Sequence, residues 1–140
     1  MTHDPLVALL RLRRLAVDEA RRGLGDCLRV ESEASAAVSS IEDAIARETE
    51  AATDLAKGDA EVEAFAAWLR RIRPKQRAAH EALDAAERET AEARVVLGAA
   101  QAAVRAVEEI LEEHAAAAVA ADERRAQAAV DEAAQRCGQQ

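Results

Sequence analysis

Apolar residues return every seven positions along most of the chain, and that period admits few folds. Leu10, Val17, Leu24, Val38 and Ile45 share one grid, with Glu31 filling the gap and Ala52 continuing it. Their companions are Arg13, Ala20, Cys27, Ala34, Ile41, Glu48 and Leu55. A second grid runs through Leu83, Thr90, Leu97, Val104, Leu111 and Ala118, with companions Ala86, Ala93, Ala100, Val107, His114 and Ala121. A sustained heptad keeps one narrow seam turned toward a partner helix and drives left-handed supercoiling. Beyond Ala118 the stripe moves to Val119, Ala126, Val130 and Ala133, as a stutter produces.

Composition closes off the alternatives. Half of the 140 residues are hydrophobic, yet only 1% are aromatic, with one Phe, one Trp and no Tyr. Most of the apolar half is Ala, which buries little surface, so the volume that fills a globular core is missing. Five Gly and two Pro supply few turns. An enzyme fold with a deep pocket is excluded on these grounds, and long helices fit.

Breakers divide the pattern. Asp4-Pro5 is a helix start: Asp accepts a bond from a free amide, and Pro suits the first helical position. Gly58-Asp59 is a weak stop and Arg73-Pro74 a stronger one, because the residue before Pro is pushed from helical angles. These signals predict helix 5–57, a shorter helix over about 60–73 and a long helix from 75–78 to 136. The fold expected is all-α: one domain over 1–140, a long antiparallel two-helix coiled-coil hairpin with a short helical segment near its tip at 58–77. A parallel homodimer would drive a helix through Pro74, at about 3 kcal/mol, so the hairpin is preferred and a monomer expected. A generic coiled-coil scaffold or tether, as a homodimer, is the alternative.

Charge comes in blocks. Residues 1–30 carry six basic and four acidic groups, 31–68 two and ten, 69–77 five and none, and 78–140 six and thirteen, which returns the net charge of -8. That balance argues against nucleic acid, whose binding rests on phosphate neutralisation. The basic block Arg70, Arg71, Arg73, Lys75 and Arg77 follows the two aromatics, Phe65 and Trp68. These two residues either plug the hairpin turn or form a partner patch of the aromatic-plus-Arg kind found at interface hot spots. Arg11, Arg13, Arg14, Arg21 and Arg22 either pair with Asp122, Glu123, Asp131 and Glu132 across the hairpin or face an external acidic surface.

No catalytic constellation is present. The carboxylate pairs Glu108-Glu109, Glu112-Glu113 and Asp131-Glu132 lack the desolvated pocket that separates two pKa values. His3, His80 and His114 are scattered without metal-ligand spacing. Gly23 and Gly25 lie inside a helix, where they mark bending or a close contact rather than a phosphate cradle. No cofactor is expected. Cys27 and Cys137 form no disulfide framework; the predicted topology sets Cys27 opposite about residue 115 and Cys137 near the N-terminus. No segment suits membrane insertion or a signal peptide, and a cytoplasmic protein is expected.

With these residues placed, the chain resembles the flagellar FliJ and injectisome YscO family of type III export stalk proteins. The likeness is carried by Leu6-x-x-Leu9-Leu10-Arg11-Leu12-Arg13-Arg14-Leu15, then Phe65-x-x-Trp68-Leu69-x-x-Ile72, then Arg94, Leu97 and Ala100, and last Glu123-Arg124-Arg125-x-Gln127-x-x-x-Asp131-Glu132-x-Ala134. It implies a coiled coil similar to the rotor shaft of F-type ATPases, with paired termini in the ring of a hexameric export ATPase. It further implies links to the membrane export gate and to export chaperones, peripheral to the inner membrane. By position, Leu9, Arg11, Leu12, Arg13, Arg14, Glu123, Arg124, Arg125, Asp131 and Glu132 would face the ATPase. Phe65, Leu69, Ile72 and Gln76 would fall in the gate-binding region. This chain departs from the family in being acidic and Ala-rich along its seams.

Overall fold

The computed structural model describes residues 4–54 and 58–139. They form two helices, α1 over Pro5–Ala52 and α2 over Asp59–Gly138, and no strand occurs among them. The helices pack against each other as the helical hairpin that the paired seams predict. His3 and Leu55, and residues 55–57 at the expected end of the first helix, lie outside the described residues.

Each helix begins as its sequence dictates. Asp4 Oδ1 accepts the Leu6 amide at 2.9 Å, so the side-chain cap works as expected, and the Asp4 carbonyl accepts Val7 and Ala8 at 3.1 and 3.3 Å. The end of α1 is marked by threonines that bond backbone carbonyls, Thr49 Oγ1 to Ile45 at 2.6 Å and Thr53 Oγ1 to Glu50 at 2.9 Å. Such side-chain bonds compete with the helical ladder. The α2 start has Gly58 accepting the Glu61 amide at 3.1 Å, with Asp59 and Glu61 complementing the helix dipole.

The fold divides into two units, residues 1–17 with 99–140 and residues 18–98. In the 18–98 unit the seam follows the grids except at Glu48: Val38, Ala86 and Thr90 are buried, and Leu24, Cys27, Glu31, Ala34, Ile41, Ile45, Leu83, Ala93 and Leu97 are half-buried. Its helices are tied by His80 Nε2 and Glu42 Oε1 at 3.0 Å. In the terminal unit Val17 and Val107 are buried, and Leu10, Ala100, Val104 and Leu111 half-buried. There Arg14 Nη2 meets Glu108 Oε1 at 3.0 Å. In both contacts the residue numbers sum to 122, which defines the antiparallel register of each unit.

Several expectations need correction. The break at Arg73–Pro74 is absent: α2 runs through Pro74 without interruption, and the stretch 59–77 is its opening turns rather than a separate tip segment. The seam explains why. Phe65, Leu69, Ile72, Gln76 and Ala79 are all half-buried and continue the grids of Ala86 and Leu83 across the proline in phase. Pro74 is exposed on the other side, so the carbonyl of Arg70 that loses its partner can be hydrated. The break between the helices therefore falls between Ala52 and Asp59, and the penalty invoked against a helix through Pro74 is one this hairpin itself bears.

Moving the turn moves the register. Cys27 faces position 95 rather than 115, and Cys137 sits past the start of α1; both thiols are free, Cys27 half-buried and Cys137 exposed. His114 and Ala118, expected on the seam, are exposed, as are Arg13 and Glu48, whose long side chains reach solvent. Gly23 and Gly25 make no close contact: a Cβ at either would meet nothing within 4 Å.

Candidate partner-binding surfaces

The terminal unit exposes helix surface on both elements. By the 122 register Pro5 faces position 117, so α2 from about residue 119 passes beyond the first turn of α1, and every residue from Asp122 to Gln139 is exposed. That is about 30 Å of uncovered helix at 1.5 Å per residue. Glu123, Arg124, Arg125, Asp131 and Glu132 all lie on it. Local pairs follow its axis: Arg125 with Asp122 at 3.3 Å, Gln127 with Asp131 at 2.8 Å, and Arg136 with Glu132. Of the two readings of the N-terminal arginines, pairing with these acids is not seen among the described residues. Arg14 reaches Glu108 and Arg21 stays with Asp18, because residues 9–14 face 113–108.

On α1, Arg11, Leu12, Arg13 and Arg14 are exposed and Leu9 is half-buried on the seam. Leu12 and Leu15 are each 62% exposed, as is Val130 on α2. The ten terminal residues singled out in the sequence thus share one unit but form two groups, with no contact that closes them into one patch. Leu15 and Val130 belong with them. The signal for Leu15 was available, since it stands off the Leu10–Arg13–Val17–Ala20 grid and must face away from the seam.

In the other unit, Phe65 and Trp68 lie with ring centroids 6.1 Å apart and planes at 26°, both half-buried. With Glu48, Ala51, Ala52, Glu61 and Ala64 they line an open groove of about 290 Å³. Phe65, Leu69, Ile72 and Gln76 are on the seam, so their burial first serves the hairpin. Arg70, Arg71, Arg73, Lys75 and Arg77 are all exposed; Arg73 bonds Gln76 at 2.9 Å. Among the described residues no group of three or more His, Cys, Asp and Glu is placed to hold a metal, and no helix is long and apolar enough to cross a membrane.

The stretches that carry the family likeness, 6–15, 65–72, 94–100 and 123–134, all lie on the two helices of this hairpin. The family model for the flagellar FliJ protein matches residues 2–140. The chain belongs to the FliJ family. No curated protein and no solved structure matches it. Membership ties the chain to flagellar, type III export-related proteins.

Proposed function

We propose that this chain is a non-enzymatic stalk and adaptor of the flagellar export apparatus. Its terminal unit inserts into the ring of the hexameric export ATPase, and the helix surface near the turn engages the membrane export gate, with export chaperones as further partners. The observation that carries the reading is the uncovered end of α2 with Leu12, Leu15 and the arginines of α1 exposed in the same unit. Apolar and cationic side chains exposed together on one unit are surface for another protein.

The mechanism follows from coupling. A helix end that touches several ATPase subunits unequally favours some of their conformations over others, and only such differential contact shifts an equilibrium. Arg11, Arg13 and Arg14 supply charge-assisted bonds to acidic ring surfaces, while Leu12 and Leu15 supply contact area. Nothing in this requires chemistry on the stalk.

Mixing the purified chain with its cognate export ATPase tests the proposal. Hydrolysis and ring assembly should both rise, and replacing Arg11, Arg13 and Arg14 by Ala should abolish the rise with helicity unchanged. A chain that alters neither hydrolysis nor assembly contradicts the ATPase role and leaves a scaffold.

A further inference from the structure

We propose that two copies of this chain pair through the uncovered end of α2, antiparallel and about a two-fold axis level with Ala128, so that residues 119–137 of each copy cover those of the other. The end of α2 still carries a seam. Val119, Glu123, Ala126, Val130, Ala133 and Cys137 recur at alternate intervals of four and three, and all are exposed, Val119 at 58% and Val130 at 62%. By the 122 register this stretch lies past Pro5, where α1 begins, so α1 does not cover it.

Reflection about position 128 maps this seam onto itself. Pairs whose numbers sum to 256 set Val119 against Cys137, Glu123 against Ala133 and Ala126 against Val130, so the two core positions of the heptad meet each other across the antiparallel pair. Glu123 is the one charge on the seam. Opposite the small Ala133 its stem lies along the other helix while its carboxylate reaches water.

Charge selects this register and this partner. Arg124 stands beside Asp131 of the second copy, Arg125 beside Glu132 and Asp122 beside Arg136, each twice by symmetry. Sliding one copy by a heptad sets Arg124 and Arg125 against their own counterparts in one direction, and Asp131 and Glu132 against theirs in the other. A parallel, in-register pair would bring Glu123 against Glu123 on the seam. The contacts within one helix, Arg125 with Asp122, Gln127 with Asp131 and Arg136 with Glu132, leave room for the new ones. A carboxylate accepts several bonds, and a guanidinium has five N–H donors.

The paired stretch is about 27 Å long at 1.5 Å per residue. Specific complexes begin near 1,200 Å² of total buried surface, and two single helices of this length, with Ala and Val on the seam, sit at the low end. The pairing is therefore weak and reversible, and the monomer expected from the sequence is the dilute form. Its consequence rests on the ATPase reading above: the pair covers Glu123, Arg124, Arg125, Asp131 and Glu132, so a paired chain is held out of the ring.

Sedimentation equilibrium of the full chain tests the pairing. The weight-average mass should climb from 15.0 kDa toward twice that as concentration rises from about 10 μM to about 1 mM. Arg124→Glu with Arg125→Glu should weaken association about tenfold, since four exposed unlike pairs become like; adding Asp131→Arg and Glu132→Arg should restore it. Circular dichroism checks that each variant is folded. Cross-linking reads the register. Val119→Cys in a Cys27→Ala background, oxidised with copper–phenanthroline, should give a disulfide-linked dimer through Cys137 of the second copy. Cys27→Ala alone should link far less, because the two Cys137 thiols lie about 27 Å apart in the pair. A mass fixed at 15.0 kDa, charge reversal without effect, failure of the restoring pair, or equal linkage of the two chains overturns the proposal. None of these readouts involves the ATPase, so the pairing and the ATPase role fail separately.

Discussion

Pro74→Ala should stabilise this protein, and by an amount that follows from where Pro74 sits. In the interior of α2 the proline has no N–H for the Arg70 carbonyl and its ring crowds that oxygen. Relative to Ala the deficit in a helix interior is about 3 kcal/mol. Against it stands the stiffness that proline gives the unfolded chain, worth about 0.4–1 kcal/mol. Pro74 is exposed, so little packing is lost with the ring. The net gain is about 2 kcal/mol, which for a chain of this length raises Tm by roughly 4–8 °C. Urea unfolding followed by far-ultraviolet circular dichroism should show a higher midpoint at an unchanged slope. A neutral or destabilising result would refute the reasoning, since it would mean that residues 73–74 form a turn for which proline is suited.

Four further substitutions test the seam and its outer face. Gly23, Gly25 and Gly98 are exposed within helices, with open space where a Cβ would stand, so Gly→Ala at each should add about 0.5–1 kcal/mol and nearly additively; loss of stability at any of them would restore a bend or contact there. Thr90 is 1% exposed and its Oγ1 has no hydrogen-bond partner, so Thr90→Val should stabilise by about 1 kcal/mol in thermal unfolding, whereas destabilisation would reveal a partner for the hydroxyl.

Much of the hairpin was legible in the sequence because its signals repeat. The grid through Val17, Val38, Ala86 and Val107 named the buried residues, since a heptad states a side chain's direction many times over. The Asp4 cap was legible because its chemistry is local. The turn was not. Pro74 is the strongest breaker by local rule, yet the in-phase run Phe65, Leu69, Ile72, Gln76 and Ala79 carries the seam past it, and burial summed over that run outweighs one lost bond. Gly58 is weaker by local rule but coincides with the end of the α1 seam.

That one displaced turn propagated into the candidate site. With the tip at 58–77 the two termini pair; with the break between Ala52 and Asp59 the end of α2 stands alone. Residues 123–132 therefore moved from a closed terminal patch to uncovered helix, although the sequence had named them. The aromatic–basic juxtaposition survived, because Trp68, Arg71 and Lys75 are linked by helical spacing within α2 and do not depend on the register.

The register is the central structural claim, and a distance between labels at Glu42→Cys and His80→Cys, in a Cys27→Ala, Cys137→Ser background, tests it most directly. These positions face each other in the 122 register, as the 3.0 Å contact between their side chains shows. Helix axes in contact lie about 8–10 Å apart, so pulsed electron–electron resonance should give a short separation of roughly 10–20 Å including the label arms. A turn at Arg73–Pro74 would instead set Glu42 opposite about residue 105, some 25 positions or about 37 Å along the axis from His80. A distribution centred at 35 Å or more would contradict the account.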